Sequence, residues 1–190
     1  MPFSADRRAG LVSLYMSVAI FAVPTTSYSA EQKTIDMLNS VPVYENGIPY
    51  YQSHGRHYAK DGYYYGKKWQ CTEFVKRYYA QVYQHHMPDV MGNAKDFFDS
   101  GTPHRKLNKK RGLVQYRNNQ DEPPKVGDLL VFDYGAYGHV AIVSEVTPTQ
   151  IEVVQQNIYG KPRQKLELRN EKGRYSVLAA YPPAAWLRKP

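Results

Sequence analysis

The spacing of hydrophobic residues predicts a helix in the first half of the chain. Between Cys71 and His85, apolar residues recur at helical spacing: Phe74, Val75, Tyr78 and Val82. Polar residues fall largely on the other side, so this segment is an amphipathic helix with one buried face. Met87-Pro88-Asp89 ends the helix. A second short helix is predicted from Asn93 to Asp99, with Asn93 as its N-cap.

After Pro123-Pro124 the pattern changes to short runs rich in β-branched and aromatic residues. These runs are separated by Gly, Pro or Asn and cover Asp128 to Phe132, His139 to Val146, Ile151 to Gln156, Gln164 to Leu168 and Ser176 to Tyr181. They predict an antiparallel meander. Helices followed by strands indicate an α+β domain, in which the N-terminal helices pack on an antiparallel sheet.

The remaining segments have weaker signals. Glu31 to Leu38 is compatible with a short helix. Val41 to Tyr65 is predicted to be irregular, with at most a short hairpin and with turns at Asn46-Gly47 and Asp61-Gly62. Residues 100–119 carry six lysines and arginines, and we expect a solvated basic loop there.

The N-terminus has the layout of a secretory signal peptide. Arg7 and Arg8 precede an apolar run, Leu11 to Val23, and a small, polar segment ends at Ala30. The run is too short to span a bilayer as a helix, although an uncleaved anchor is the alternative. We therefore expect a signal peptide at residues 1–29, a single domain at 30–190, no membrane span after cleavage, and a secreted or periplasmic location.

The chain is basic, with a formal net charge of +8. Such a surface is attracted to anionic polymers: nucleic acid, lipid headgroups or the bacterial cell wall. Export favours the wall and argues against nucleic acid. The run from Arg105 to Arg111 is the candidate wall contact.

Cys71 is the only cysteine, so no disulfide forms within the chain. An odd cysteine in an exported protein is paired with another chain or is a reactive thiol, but free cysteine is also often buried in cores. Cys71 stands at the predicted start of a helix. There the helix dipole lowers a thiol pKa to between roughly 3.5 and 7.5 in known settings, which favours a nucleophile.

A thiol nucleophile needs a base, and His139 is the best placed of six histidines. It follows Gly138 and opens an apolar strand, whereas the other five are expected to be solvated: His54, His57, His85, His86 and His104. If the next turn centres on Pro148, antiparallel pairing sets Asn157 opposite His139 and Gln155 opposite Ala141. Both amides are then within reach of the imidazole.

Several motifs in order carry a family resemblance. They are Gly66 to Phe74 (GKKWQCTEF), Gly92-Asn93-Ala94, Gly127-Asp128-Leu129, Gly138 to Val143 (GHVAIV) and Gln156-Asn157. Together they resemble the CHAP family, the papain-like cysteine- and histidine-dependent amidohydrolases and peptidases. The nucleophile segment is also similar to the amidase domain of glutathionylspermidine synthetases.

The resemblance implies a role for each residue of the site. Cys71 is the nucleophile and His139 the general base and acid. Gln155 stands where many members have glutamate; it can accept a hydrogen bond from the imidazole Nδ1–H but adds no negative charge. Asn157 supports the histidine or the oxyanion. The Cys71 backbone N–H and the Gln70 side chain form the oxyanion hole.

Other residues beside the nucleophile are candidates for binding or packing. Trp69, Tyr65 and Gly138 are the candidate substrate-binding residues, with core packing as the alternative for the aromatic pair. Glu73 stands early in the helix, and its spacing permits an ion pair with Arg77, so a structural role is favoured.

These inferences predict an exported thiol amidase or peptidase that acts on peptidoglycan or a peptide-like amide through an acyl-enzyme. Neither a metal nor an organic cofactor is implied. One alternative is an amidase for a glutathionylspermidine-like conjugate, although an export signal argues against that cytosolic pool. The other is a wall-binding module with weak or no activity, which the loss of a charged partner at Gln155 would favour.

Overall fold

A computed structural model describes residues 32–190, which contain twelve strands, one α-helix and one short 3-10 helix. The strands before the helix are β1 (Thr34–Leu38), β2 (Val41–Tyr44), β3 (Arg56–Tyr58) and β4 (Tyr64–Lys67). The helices are α1 (Cys71–Tyr83) and the 3-10 helix Ala94–Phe97. The later strands are β5 (Lys106–Asn108), β6 (Leu113–Arg117), β7 (Leu129–Phe132), β8 (His139–Val146), β9 (Gln150–Val154), β10 (Arg163–Glu171), β11 (Arg174–Leu178) and β12 (Ala185–Arg188).

The predicted signal peptide lies outside the described residues. Within residues 32–190, no helix has both the length and the apolar character needed to cross a membrane.

The segment before the nucleophile forms two hairpins. The helix predicted for Glu31 to Leu38 is wrong, because β1 pairs with β2 through a two-residue turn in which Asn39 and Ser40 both have positive φ. Such a turn matches the twist of a hairpin. The second hairpin, β3 with β4, turns at Asp61-Gly62 as predicted.

The predicted helix at Cys71 is confirmed, and α1 begins at that residue. It ends at Gln84, which adopts the left-handed conformation and donates its N–H to the Tyr79 carbonyl. The second predicted helix is only the 3-10 turn Ala94–Phe97, where the Asp96 carboxylate accepts the Asn93 N–H at 2.7 Å.

Eight strands form one antiparallel sheet in the order β11-β10-β9-β8-β7-β12-β6-β5. The sheet curls until the β11 edge meets the segment after β6. There Asn118 exchanges hydrogen bonds with Val177, and Tyr175 pairs with Gln120. The mixed α+β class therefore holds in outline, with one α-helix and a large share of strand in the described residues.

The expectation of a solvated loop at residues 100–119 is wrong. This segment supplies β5 and β6, and Arg111 is buried. The Arg111 guanidinium lies over the Phe97 ring at 4.0 Å and donates to the carbonyls of Asp89, Met91 and Asp96. These bonds satisfy Nη1 and Nη2 of the buried cation, whereas its Nε has no hydrogen-bond partner among the described residues.

The sheet carries a hydrophobic cluster on each face, which explains why its central strands read as unbroken apolar runs. One cluster combines helix residues Phe74, Val75, Tyr78 and Tyr79 with strand residues Leu129, Val131, Val140 and Ile142. The other lies on the opposite face and includes Leu130, Phe132, Ala141, Val143, Ile151 and Trp186. Alternate residues of one strand therefore serve different cores.

This arrangement predicts additive effects of matched mutations in the two cores. Ile142 and Ile151 are both fully buried, one in each cluster. We expect Ile142→Val and Ile151→Val each to lower the free energy of unfolding by about 0.5–1.5 kcal/mol. The double mutant should lose the sum to within about 0.5 kcal/mol, measured by urea denaturation. A much larger departure from the sum would mean that the two clusters act as one core.

Candidate active site

The nucleophile and the histidine come from elements that touch. Cys71 is the first residue of α1, and its side chain belongs to the same buried cluster as Val140. Val140 is the residue after His139, which opens β8. Cys71 is 7% exposed and His139 8% exposed, so both lie at a nearly closed site.

Gln155 holds the imidazole of His139. The distance from His139 Nε2 to Gln155 Oε1 is 3.0 Å. The amide orientation of Gln155 is fixed because its Nε2 donates to the Lys161 carbonyl at 3.0 Å. An amide oxygen only accepts, so the imidazole Nε2 carries the proton and Nδ1 is left as an acceptor.

The predicted contact of Gln155 with the imidazole is present, but through the other ring nitrogen. We expected Nδ1–H to be the donor, whereas the structure uses Nε2. Strands β8 and β9 form a hairpin in which Ile142 pairs with Val154. At this end, far from the turn, the register is the one predicted for a turn centred on Pro148. Gln155 directly follows Val154, the last residue of β9. A bulge between Val143 and Glu145 shifts the later pairs by one residue.

The side chain of Asn157, predicted to lie within reach of the imidazole, forms hydrogen bonds with Gln70 and Asn46 instead. Asn157 lies beyond the end of β9 at Val154 and has a φ of +67°. Its Nδ2 donates to the Gln70 side-chain oxygen at 2.7 Å, and its Oδ1 accepts from Asn46 at 2.9 Å. Asn157 therefore supports the residue before the nucleophile.

Gln70 is engaged in a way that conflicts with its predicted place in an oxyanion hole. Its side-chain nitrogen donates to the backbone carbonyls of Gln52 at 2.8 Å and Tyr50 at 3.3 Å. Both amide protons are thus directed at the protein. The backbone N–H of Cys71 stays suitable for the oxyanion, because the first N–H groups of a helix have no intrahelical acceptor.

A buried carboxylate stands two positions after the nucleophile Cys71. Glu73 is fully buried, and its Oε1 accepts from Arg77 Nε at 2.6 Å and from His57 Nδ1 at 2.8 Å. Its Oε2 accepts from Gln156 Nε2 at 2.7 Å. Burial works to raise the pKa of Glu73, but His57, Arg77 and Gln156 hold it below the ordinary value. The ion pair with Arg77 is the one predicted from their spacing.

His57 and Gln156 are the residues that sequence reasoning missed. Strand alternation sends Gln156 to the face opposite Gln155, which is a usable signal for a contact with α1. His57 was expected to be solvated, but it contacts Glu73. The histidines at 54, 85 and 104 also make hydrogen bonds within the protein, and His86 stacks on Tyr63.

The candidate substrate-binding residues are in packed positions. Trp69 is 8% exposed and Tyr65 6% exposed, and both rings lie edge-on to His57. At Gly138, φ is +71° and a Cβ would lie 2.6 Å from the backbone nitrogen of Lys95. Gly138 therefore permits the 3-10 helix to approach β8 closely. These three residues support the site from within the fold.

Burial sets the ionisation of the Cys71–His139 pair. It raises the pKa of the Cys71 thiol to about 11, and the N–H groups around the sulfur only partly offset this. Burial also lowers the pKa of His139 to about 4, against the opposing effect of the bond to Gln155. The expected fall in the thiol pKa at a helix start is therefore outweighed. At neutral pH the pair consists of a thiol and a neutral imidazole.

Within residues 32–190, no group of three or more His, Cys, Asp or Glu side chains is arranged to hold a metal ion.

Comparison with known proteins places these residues in a wider context. Residues 60–157, which contain both Cys71 and His139, match the family model of the CHAP domain. The chain is 30% identical over 124 residues to the bifunctional glutathionylspermidine synthetase/amidase of Escherichia coli (strain K12), and equally to that of Shigella flexneri. It is 34% identical over 101 residues to the glutathionylspermidine synthase of Crithidia fasciculata.

These matches cover only part of each protein. The bacterial alignments take in 59% of this chain and 20% of the relative, and the Crithidia alignment takes in 48% and 14%. The chain thus matches about a fifth or less of the length of these curated relatives.

The neutral pair predicts slow alkylation of the folded protein. With the thiol pKa at about 11, iodoacetamide should modify Cys71 at neutral pH roughly a hundredfold more slowly than it modifies the same thiol in the urea-unfolded chain. Mass spectrometry measures both rates, and the single cysteine makes the unfolded chain a matched control. Faster modification of the folded protein at pH 6 would instead reveal a thiolate–imidazolium pair.

Proposed function

Because this chain belongs to the CHAP domain family, we propose that it is an exported cysteine amidase or peptidase that hydrolyses an amide bond in peptidoglycan. The observation that best supports the chemistry is the 3.0 Å bond from His139 Nε2 to Gln155. It leaves Nδ1 as the basic nitrogen of the ring, and Val140, the residue after His139, lies in the same buried cluster as Cys71. We assign Cys71 as the nucleophile, His139 as the base and Gln155 as the group that orients the base.

In the proposed reaction, His139 Nδ1 takes the thiol proton as Cys71 Sγ attacks the amide carbonyl. The backbone N–H of Cys71 stabilises the oxyanion of the tetrahedral intermediate. When the C–N bond breaks, the imidazolium gives its proton to the leaving amine and a thioester remains. Water, activated by the imidazole, then attacks the thioester and releases a carboxylic acid and the free thiol.

Gln155 sets the tautomer of the base without stabilising its charged form. A glutamate there would support the imidazolium electrostatically, whereas a neutral amide only orients the ring. Burial holds the pKa of His139 at about 4, so the imidazole is already unprotonated at neutral pH. It is therefore available as a base, and the imidazolium formed during attack is a strong donor toward the leaving amine. Activity should fall only below about pH 5, as the imidazole becomes protonated.

The substrate and location rest on sequence features. The leader at residues 1–29 has the pattern of an export signal, and the chain carries a net charge of +8. A basic exported protein is attracted to the carboxylates and phosphates of the cell wall. Peptidoglycan offers two kinds of amide: the bond between the sugar and its first alanine, and the bonds of the peptide cross-link.

The main alternative is an amidase for a glutathionylspermidine-like conjugate. It is favoured by the name of the bacterial relatives and by the resemblance of WQCTEF to the amidase domain of glutathionylspermidine synthetases. The leader argues against a cytosolic substrate. A wall-binding module without activity is the second alternative, and the retained cysteine and histidine argue against it.

The mature protein should release soluble fragments from purified peptidoglycan, and Cys71→Ala should release none, because the acyl-enzyme cannot form without the thiol. Mass spectrometry of the fragments identifies the cleaved bond by its new ends. The mutant is the control for non-covalent release. Cleavage of glutathionylspermidine without any release from wall preparations would favour the main alternative. If the protein cleaved neither peptidoglycan nor glutathionylspermidine, over a range of wall types and pH values, the hydrolase proposal would be contradicted.

A further inference from the structure

His57 lies between the surface and the buried centre of the site. Its side chain is 25% exposed, and its ring lines a surface cavity together with His86, Lys60 and Asp61. On the inner side, His57 Nδ1 lies 2.8 Å from Glu73 Oε1. A carboxylate only accepts, so this nitrogen carries the proton. The ring also lies edge-on to Trp69, two residues before the nucleophile, with centroids 5.3 Å apart.

Glu73 depends on three donors that come from different segments. Arg77 belongs to the same helix, whereas His57 is carried by β3 and Gln156 follows β9. A buried carboxylate that loses a donor is left partly unsatisfied, which is costly in a low-dielectric interior. The carboxylate will then shift toward its remaining partners or admit water.

Gln156 carries such a shift to the reacting groups. Its Nε2 donates both to Glu73 Oε2 at 2.7 Å and to the backbone carbonyl of Gln70 at 3.1 Å. Gln70 directly precedes the nucleophile in the chain. The residue before Gln156 is Gln155, which holds the imidazole at 3.0 Å. One side chain therefore links the start of α1 to the strand end that orients His139.

We propose that His57 is a positioning residue: through Glu73 and Gln156 it fixes the geometry of Cys71 relative to His139. Its role in turnover rests on the proposed function, but the geometric effect does not. His57 touches neither the thiol nor the imidazole in the contacts described above. It acts by supplying one of the three hydrogen bonds that the Glu73 carboxylate accepts. Of the three donors, His57 is the nearest to solvent.

Three variants test this inference. His57→Ala removes the donor. His57→Asn is the rescue variant, because its amide nitrogen can occupy nearly the place of Nδ1. His86→Ala is the matched control, since His86 lines the same cavity and stacks on Tyr63 without contacting Glu73. Melting temperatures establish that each variant is folded at the assay temperature.

On a soluble amide substrate, His57→Ala should lower kcat roughly tenfold or more while KM changes less than about twofold, because small displacements of reacting groups are costly for rate. His57→Asn should recover most of kcat, and His86→Ala should match the wild type. If His57→Ala lowers only the melting temperature and keeps kcat within about twofold, the inference is overturned. Equal loss of kcat in His57→Asn would also contradict it.

A second readout needs no activity. The pKa of His139, followed by NMR of its imidazole, should rise from about 4 toward its ordinary value in His57→Ala, because a loosened site admits water. The other two variants should retain the wild-type value. An unchanged value in His57→Ala would overturn the inference. If the wild type cleaves no amide, the proposed function fails, and this titration still decides the role of His57.

Discussion

The structure around the candidate site depends on the burial of one carboxylate. An ionised group in the interior is costly unless a countercharge and hydrogen bonds replace its hydration. Arg77 supplies the charge for Glu73, and His57 and Gln156 supply further donors. Because these donors come from separate segments, satisfying Glu73 also joins them. The helix that begins at Cys71, the hairpin that carries His57 and the end of β9 are thereby held in one arrangement.

Three consecutive amides at the end of β9 divide the support of the site among them. Gln155 binds the imidazole, Gln156 binds Glu73 and the carbonyl of Gln70, and Asn157 binds the Gln70 side chain. All three are neutral, so they orient their partners without adding charge. Together with burial, this produces a resting site with an uncharged thiol and imidazole. Charge then develops only as the thiol attacks a bound carbonyl.

The sequence predicted those features that depend on residue spacing within one segment or on the pairing of neighbouring strands. The helix start at Cys71, the strand at His139 and the contact of Gln155 with the imidazole followed from periodicity and pairing. The same reasoning failed where contacts between distant segments determine the conformation of a segment or the burial of a side chain. The segment predicted as a helix up to Leu38 forms β1 instead, because it pairs with β2, whose Val41 and Val43 are buried in the core beside α1. Arg111 is buried because distant carbonyls surround it, and His57 contacts a glutamate that is remote in sequence.

The tautomer of His139 is the sharpest test of the proposed chemistry, which requires a proton on Nε2 and a lone pair on Nδ1. Nitrogen-15 NMR of the folded protein at neutral pH distinguishes the two forms, and His139→Gln assigns the signal among the six histidines. We expect a neutral ring that is protonated at Nε2. A ring protonated at Nδ1, or an imidazolium at neutral pH, would contradict it.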